Sequence, residues 1–457
     1  MSEKQLYLSR RKFVTASGLV GAGVLGASAL TGCASGSGSA SASASSASAS
    51  ASASSASASA SAASTSASAS AGATLDPKNW DAIVDAAKGQ EVNLWMSAGT
   101  KEINDWVDGP AAEYLLKNFD IKLNRVPVNS SNEFVTQISS EMQAGTKEGT
   151  VDAVWANGST FKSLKDNGYL YGPWTEDSPT GKLIDWNHQD NKYDAGVLTE
   201  GLSMVWHRYT ASFFADTDKV GTSFPKNPTE YLEWVKQFPG HFTYPAAGDS
   251  QGDRFMYTMF ANIMGRDAWK EITTDLTLTK DQLRDKLADG LAFLRELNPY
   301  LWNQGTTFPA KYSEAEKMYS DGEIYSNFNV RFPQAKVDNG TYPAGTRCFV
   351  LSEASLCYNS YFEIAANAAH KAAAMVAINE LCGPTLEASK FAATFIPSGL
   401  DYSKLSADQK KGFDEVKLGD ATLNPEDIEP IAIALASSTA IEIIHELWNE
   451  EVVGKTN

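Results

Sequence analysis

Residues 151–161 of this chain read VDAVWANGSTF. The first five of them are a run of strand-forming residues, and apolar side chains at helical spacing begin at Phe161. Because Asn157 and Gly158 stand between the two patterns, the sequence predicts a buried strand that turns directly into a helix. Such a turn leaves backbone N–H groups free at the helix N-terminus. In open α/β sheets, ligands bind at turns of this kind, beyond the carboxyl ends of the strands.

The segments before this stretch show the same alternation of strands and helices. Strand patterns at 92–96 and 121–128 alternate with helix patterns at 101–118 and 133–144. This order predicts parallel strands joined by right-handed crossovers, as in α/β proteins. Some 380 residues follow the N-terminal region. Because that length is too great for one hydrophobic core, two lobes are expected.

The second half of the chain is less regular. Short strands are predicted at 241–245 and 323–329, and two further strands, 346–351 and 356–364, are predicted to cross between the lobes. Helices are predicted at 228–238, 250–265, 281–297, 312–321 and 368–381.

The N-terminal region has the parts of an export signal. The segment SRRKFV at 9–14 is similar to the twin-arginine export motif, and an apolar run of small residues follows at 16–30. The tetrapeptide LTGC at 30–33 resembles a lipobox, in which Cys33 is acylated and becomes the new N-terminus. A transmembrane helix is the alternative, but about 15 weakly apolar residues are too few to span a bilayer. We therefore predict a signal peptide at 1–32.

Residues 34–73 consist almost purely of Ser, Ala and Gly. Because such a segment has no large side chain to bury, it cannot offset its ordering entropy and is expected to be flexible. Together with Cys33 it forms a predicted tether, 33–73, whose random-coil reach is about 35 Å. The tether would hold the folded part at the cell surface, anchored by lipid to the outer face of the cytoplasmic membrane.

The net charge of the chain limits its partners. The chain carries a formal net charge of −17, and because residues 1–32 contribute +3, the remainder carries about −20. A charge of this sign disfavours nucleic acids and anionic lipid surfaces as partners.

Three cysteines remain beyond Cys33. Their spacing fits no zinc pattern. In an oxidising compartment a disulfide between Cys348 and Cys357 is an open alternative, and Cys382 is expected to be a small buried hydrophobe.

Several separated segments occur in the same order as in a known family and cover most of residues 90–390. They are 151–161 with GPW at 172–174, FPGHFTYPA at 238–246, LWNQG at 301–305 with FP at 308–309, DGE at 321–323, FN at 328–329, and AANAAHKAAAMV at 365–376. Through them the chain resembles the family 1 extracellular solute-binding proteins of ABC transporters, and in particular their YnjB-like branch. It departs from the family at TEGLSMVW, 199–206, where the family has a Pro-Trp-Gly segment, and after Lys390, where the match is poor.

The resemblance implies an α/β fold of the type II periplasmic-binding-protein class, with two lobes that are joined by crossover strands and close on a ligand by hinge motion. Lobe 1 is expected to comprise 74–199 and 350–390, and lobe 2 to comprise 200–349 and 391–457. It also implies a monomer that captures a small-molecule solute and delivers it to an ABC permease and its ATPase. No enzyme activity, cofactor or metal is expected.

The cleft is expected to use loops that follow strands in both lobes. Amide and hydroxyl groups can donate and accept hydrogen bonds there, and aromatic faces add apolar area or hold a cation. We expect Asn157 and Tyr244 to line the cleft from opposite lobes. The predicted ligand-binding residues are Trp95, Ser97, Gly99, Asn157, Gly158, Tyr244, Asp249, Asn327, Asn329 and Asn359.

Several of these residues have a structural alternative. Asn157 and Gly158 could serve only as a turn and a helix cap. Tyr244 could simply end a strand, and Asp249 could cap the helix that begins near residue 250. By contrast, Asn327 and its second neighbour, Asn329, share one side of a strand, because side chains alternate between the two faces.

Two other classes of function are alternatives to transport. Ser159 and Lys162 fit the Ser-x-x-Lys pattern of serine acyl-enzymes, but the pattern is loose and no Ser-Asp-Asn or Lys-Thr-Gly motif follows. The five histidines show no metal-ligand spacing. A surface adhesion or sensor protein with the same fold is the other alternative.

The sequence leaves the solute open. An organic cation, such as a thiamine-like molecule or a polyamine, and a sugar are equally compatible with aromatic and amide side chains. A ferric-ion site would need converging tyrosines, for which Tyr325 and Tyr361 are the candidates.

Overall fold

The computed structural model describes residues 75–97 and 101–456. The predicted signal peptide, the tether with the lipidation site Cys33, and the predicted site residue Gly99 lie outside the described residues.

The described strands form two main sheets and one short hairpin. In chain order they are β1 (Glu91–Ser97), β2 (Lys122–Val128), β3 (Ala153–Ala156), β4 (Tyr193–Asp194), β5 (Val197–Leu198), β6 (Ser203–Thr210), β7 (Ser212–Asp216), β8 (Ser326–Asn329), β9 (Thr346–Phe349), β10 (Ser355–Ile364) and β11 (Ala432–Ile433).

The larger sheet has the order β2-β1-β3-β10, with β6 on the far side of β10 and β11 beside its first residues. Strands β1, β2 and β3 are parallel to one another, whereas β10 is antiparallel to both β3 and β6. Side chains alternate along β1, where Val92, Leu94 and Met96 are buried. In β10 all ten residues are buried, because strands flank it on both sides.

The second sheet has three antiparallel strands in the order β8-β7-β9. Strand β6 of the first sheet passes through Ala211 into β7, and β9 returns to β10 through residues 350–354. The two connections lie side by side: the Ala211 N–H donates to the Leu356 carbonyl at 2.8 Å, and the Ser355 hydroxyl donates to the Ala211 carbonyl at 2.8 Å. This pair of crossing strands confirms the predicted two-lobe α/β fold.

Helices cover the sheets. They are α1 (Trp80–Ala87), α2 (Lys101–Trp106), α3 (Ala112–Phe119), α4 (Ser131–Gln143), α5 (Ser159–Asp166), α6 (Gln189–Lys192), α7 (Thr217–Val220), α8 (Pro228–Lys236), α9 (Ser250–Met264), α10 (Arg266–Thr274), α11 (Lys280–Lys286), α12 (Ala288–Leu297), α13 (Tyr312–Ser320), α14 (Gln334–Asp338), α15 (Lys371–Leu381), α16 (Pro384–Thr394), α17 (Ala407–Asp414), α18 (Pro425–Ile428) and α19 (Ser438–Glu451). A π-helical segment, Val107–Ala111, joins α2 to α3.

The structure confirms the predicted strand–helix alternation of the first lobe but corrects the second half of the chain. Residues 241–245, predicted as a strand, form none. The strand predicted at 346–351 ends at Phe349 within the second sheet, and the one predicted at 323–329 begins at Ser326. Strand β6 belongs to the first sheet, so the sheet boundary lies at Ala211; the full lobe division stays a prediction.

Apolar side chains of both sheets belong to one hydrophobic core, which includes Val154 of β3 and Phe213 of β7. A smaller cluster surrounds Phe214 on the other face of β7. Cys348, Cys357 and Cys382 are buried and unpaired, so the alternative of a disulfide between Cys348 and Cys357 is not realised. None of the helices in the described part of the chain has the length and apolar character that crossing a bilayer requires.

Candidate ligand-binding site

A wide groove of about 650 Å³ lies beside α10 and β11, but its main acidic groups are already paired. The Arg208 guanidinium donates to both carboxylate oxygens of Glu429, at 2.8 and 2.9 Å, and to Asp190 at 3.1 Å. His188 Nε2 lies 3.4 Å from the same Glu429 carboxylate. Glu429 and Asp190 are therefore committed to holding this part of the fold together.

A second cavity, of about 240 Å³, is lined by strands of the second sheet and by α2, the helix that follows β1 of the first sheet. Glu102 comes from α2, which follows β1 of the first sheet, whereas Asn329 ends β8 of the second sheet. Its lining also includes the polar side chains of Gln251, Tyr312, Glu316 and Arg331.

Several polar atoms at this cavity are buried without a hydrogen-bond partner in the described chain. They are Gln251 Oε1, Asn329 Oδ1 and Arg331 Nε. Since buried polar groups in native proteins are nearly always paired, a concentration of unpaired atoms at one cavity is typical of a place that a ligand completes. Burial raises the pKa of the Tyr312 hydroxyl, which keeps it a neutral donor.

Two tyrosines and two arginines form a row of contacts beside this cavity. Tyr209 of β6 and Tyr358 of β10 are paired across the sheet, with ring centroids 5.1 Å apart. The Arg331 guanidinium lies 5.4 Å from the Tyr209 ring, and its Nη2 lies 3.3 Å from the Tyr209 hydroxyl. The Arg254 guanidinium lies 4.7 Å from the Tyr358 ring. Burial raises the pKa of Tyr358 to about 12, so this hydroxyl is protonated at neutral pH.

The predicted residues at the end of β1 do not line the 240 Å³ cavity. Trp95 is half-buried, and its indole Nε1 is buried without a partner in the described chain. Ser97 is exposed at the end of the strand.

Asn157, Gly158 and Asn359 are held by hydrogen bonds within the chain. The Asn157 amide donates to the Asn359 carbonyl at 3.0 Å, and the Asn359 amide donates to the Asp190 carbonyl at 3.0 Å. The Gly158 N–H donates to the Asp194 carboxylate at 2.5 Å, and burial raises the pKa of Asp194 to about 7. The chain's own carboxylate thus takes the backbone donor that the turn was expected to offer a ligand.

Tyr244 and Asp249 have structural roles. Tyr244 is 1% exposed, its ring stacks on Phe255 with centroids 4.4 Å apart, and its hydroxyl accepts from the Trp448 indole at 3.2 Å. Neither Tyr244 nor Asn157 lines the 240 Å³ cavity, and their placement on one cleft from opposite lobes stays a prediction. Asp249 accepts from the first N–H groups of α9, the nearest at 2.8 Å, which confirms the capping alternative.

The two amides on β8 differ. Asn329 lines the 240 Å³ cavity. Asn327 is buried, and its side-chain oxygen accepts from the N–H of Phe328, whose ring packs on Phe213 with centroids 5.0 Å apart. Of the predicted ligand-binding residues that the structure describes, Asn329 is the one that lines this cavity.

The arginines and the tyrosine pair were missed by the sequence analysis. A signal was present for Arg331, which follows Asn329 by two residues and so shares its side of an extended chain. Arg254 stands in the first turns of a mostly apolar helix, one turn after Gln251. The pairing of Tyr209 with Tyr358 depends on strands 149 positions apart in the sequence and carried no local signal.

The tyrosines considered for a ferric site lie apart. Tyr325 precedes β8 of the second sheet and stacks on His241, with ring centroids 3.9 Å apart. Tyr361 belongs to β10 of the first sheet, and its hydroxyl donates to the Tyr193 carbonyl at 3.3 Å.

The chain has a mainly parallel sheet and a smaller antiparallel sheet, which two crossing strands join. This arrangement is that of the bilobal solute-binding class of proteins. The chain belongs to the bacterial extracellular solute-binding protein family, which it matches over residues 110–412. It is similar to protein YnjB of Escherichia coli (strain K12), with 30% identity over 361 residues that cover 77% of this chain and 89% of YnjB.

Solved structures share the fold. An ABC transporter protein from Clostridium perfringens superposes with a TM-score of 0.54 and 13% identity, covering 80% of this chain and all of that one. The spermidine/putrescine ABC transporter substrate-binding protein PotD from Streptococcus pneumoniae gives a TM-score of 0.53 with 12% identity, over 79% of this chain and 99% of that one. Identities this low establish the two-lobe fold alone.

The chain is therefore an extracellular solute-binding protein. Members of this family are transport proteins rather than enzymes. In the Ser-x-x-Lys segment, Lys162 forms an ion pair with Asp166 one turn further along α5.

Proposed function

We propose that the solute binds in the 240 Å³ cavity, with Gln251, Tyr312 and Asn329 contacting it from one lobe and Glu102 approaching from the other. The observation that supports this is the concentration of buried, unpaired polar atoms at a cavity lined both by the second sheet and by α2, which follows β1 of the first sheet. Unpaired buried groups of this kind cost stability in the free protein, and a polar ligand that pairs with them recovers that cost.

The position of the cavity is also the one that α/β sheets use for ligands. Strand β6 runs parallel to β3, because both are antiparallel to β10. Tyr209 therefore stands near the carboxyl end of β6, at the edge of the sheet where ligands bind in open α/β folds.

Closure would occur about the two crossing connections. Bending at Ala211 and at residues 350–354 would bring Glu102 toward Asn329 and enclose the solute, and the permease would recognise the closed form. Solute binding would thus shift an equilibrium between open and closed forms.

A variant series tests the site. In a thermal-shift screen of the purified full chain against metabolites, vitamins, sugars and polyamines, a solute at 100 times its Kd should stabilise the protein by about 2.7 kcal/mol. Asn329→Ala should weaken binding of that solute at least tenfold, whereas Asn118→Ala, on the exposed side of α3, should leave it unchanged. Equal affinity in both variants would place the site elsewhere.

The protein is further proposed to be a monomeric lipoprotein, exported by the twin-arginine route and anchored through Cys33. A chain acylated at Cys33 should partition into the detergent phase when a membrane fraction is warmed in a phase-separating detergent. Cys33→Ser should move the protein to the aqueous phase. Partition of both forms into the aqueous phase would contradict the anchor.

A further inference from the structure

We propose that the solute carries a carboxylate or phosphate group and that Arg331 and Arg254 bind this group. The proposal rests on the proposed position of the solute in the 240 Å³ cavity. It deepens the function by naming the chemical class of the solute.

The first observation is the state of the arginines. Most arginines of the described chain form ion pairs with carboxylates, and Arg254 and Arg331 form none within it. The paired arginines are Arg125, Arg208, Arg266, Arg284, Arg295 and Arg347. In a protein with a formal net charge of −17, where acidic side chains are plentiful, two half-buried arginines without an acidic partner indicate a partner from outside the chain.

The second observation is how these two side chains are held. Each guanidinium lies near the ring of a tyrosine, Arg331 by Tyr209 at 5.4 Å and Arg254 by Tyr358 at 4.7 Å. Contact with an aromatic ring uses the guanidinium face and leaves the N–H donors at its edge available for a planar, two-pronged bond to carboxylate or phosphate. In both arginines the Nε atom is buried without a hydrogen-bond partner in the described chain.

The third observation concerns the acidic groups at the same cavity. Glu316 is occupied, because it forms an ion pair with Lys336 and accepts a hydrogen bond from the Tyr342 hydroxyl at 2.9 Å. Glu102 on α2 is the other carboxylate in the lining. Arg331 in the lining and Arg254 on the neighbouring Tyr358 outnumber this one carboxylate, and the excess of positive charge favours an anionic group over a polyamine.

The experiment compares three panels of probes on the purified full chain. The anionic panel contains inorganic phosphate, a sugar phosphate and di- and tricarboxylates; the cationic panel contains spermidine and thiamine; the neutral panel contains mono- and disaccharides. We expect a thermal shift with at least one anion, and we expect calorimetry to give a Kd that Arg331→Gln and Arg254→Gln each raise at least tenfold, or about 1.4 kcal/mol.

Two further variants distinguish loss of the anion-binding group from misfolding of the protein. Arg331→Lys keeps the charge but not the planar fork, so it should fold normally and bind the anion more weakly than the parent. Arg125→Gln removes an arginine whose ion pair with Asp108, on the π-helical segment between α2 and α3, plays no part in the site, and it should bind like the parent. Each variant is compared with the parent for its far-UV circular dichroism spectrum before binding is measured.

The outcomes distinguish an error in the proposed solute class from an error in the proposed binding site. If no anion shifts the melting temperature, the solute class proposed here is wrong. If a neutral or cationic solute binds, and Asn329→Ala weakens it while both arginine variants do not, the solute class is wrong and the cavity stands. If an anion binds and neither the arginine variants nor Asn329→Ala affects it, both the inference and the proposed site are wrong. Weakening by all three variants supports both.

Discussion

Lys390 is fully buried, and its environment shows how a charged residue is tolerated inside this protein. Its ammonium donates to Glu387 at 2.5 Å and to His207 Nδ1 at 3.0 Å, and all three side chains are buried. Burial lowers the pKa of Lys390 and raises that of Glu387 to about 7. His207 is held neutral, because burial puts its pKa well below the usual value. Each member of this trio therefore depends on the others.

Removing Lys390 should expose that dependence. Lys390→Met leaves the Glu387 carboxylate buried without a counter-charge, which should lower the free energy of unfolding by about 3–5 kcal/mol in urea titrations at pH 7. The double variant Lys390→Met/Glu387→Leu should recover most of this loss, since it removes both charges. A single variant as stable as the parent would contradict the role of the pair.

The loss of stability in Lys390→Met should also depend on pH. The carboxyl group of Glu387 has a raised pKa in the folded protein, so the folded state binds more protons than the unfolded state above the ordinary pKa of 4.5. Stability should therefore fall as the pH rises from about 4.5 toward the folded pKa, and the deficit of Lys390→Met should be smaller at pH 5 than at pH 7.

At the level of single residues, the sequence predicted helix caps and shared strand faces better than it predicted where a side chain lies in the folded protein. Asp249 was recognised as a helix cap alternative because capping depends on neighbours in the sequence. The alternation of faces along a strand favoured Asn329, which lines the 240 Å³ cavity, and its role in binding stays a prediction. Tyr244 was misjudged, since its burial against Phe255 and Trp448 depends on helices that follow it in the chain.

At the scale of elements, hydrogen bonding explains the strand that failed to form. The carbonyls of His241 and Phe242 accept from Tyr325 and Trp302, and the Ala246 N–H donates to Pro309. These bonds go to three separate segments instead of one neighbouring strand, so the extended, alternating pattern of this stretch forms no ladder. Periodicity in the sequence indicates an extended chain, but it contains no information about whether a partner strand lies beside it.

Strands β6 and β7 were missed for the opposite reason. Seven of the eight residues of β6 and all five of β7 are buried, so neither strand shows the alternation of polar and apolar residues that marks a half-exposed strand. The crossing between the sheets is therefore the part of the fold that the local pattern concealed.

An ion pair between Arg208 and Glu429 joins strand β6 to the segment before β11. The contribution of this ion pair to stability should depend on pH. The Arg208 guanidinium and His188 hold the pKa of Glu429 down to about 2, against the opposing effect of burial. A carboxylate with a lowered pKa stabilises the fold above its ordinary pKa of 4.5, and the stabilisation is lost as the pH falls through the folded pKa.

Glu429→Gln should remove this pH-dependent contribution. At pH 7 the variant should melt at a lower temperature than the parent, and the difference should shrink steadily between about pH 4.5 and pH 2. Glu415→Gln, in an exposed ion pair with Lys411, is the matched control and should melt like the parent across that range. A constant difference at all pH values would show that packing, not charge, is lost in the variant.

At the scale of the whole molecule, the α/β class and the two lobes were predictable, because alternation of strands and helices extends over long segments and tolerates errors in any one of them. The position of the ligand cavity was not. It depends on the arrangement of α2, α9, β8 and the chain after α16 around one point, which no single segment encodes.

The continuous core predicts how the described part of the chain unfolds. The described residues belong to one compact unit, and the main hydrophobic core includes side chains of both sheets, such as Val154 and Phe213. Because the crossing strands are themselves buried in this core, unfolding of one sheet exposes apolar surface of the other. We therefore expect a single cooperative transition in urea, with tryptophan fluorescence and far-UV circular dichroism giving the same midpoint and the same slope.

An anion from the binding screen should move this single transition as a whole, since it would bind both lobes at once. Two separate transitions, of which only one responds to the anion, would mean that the lobes are independent folding units and that the solute contacts only one of them.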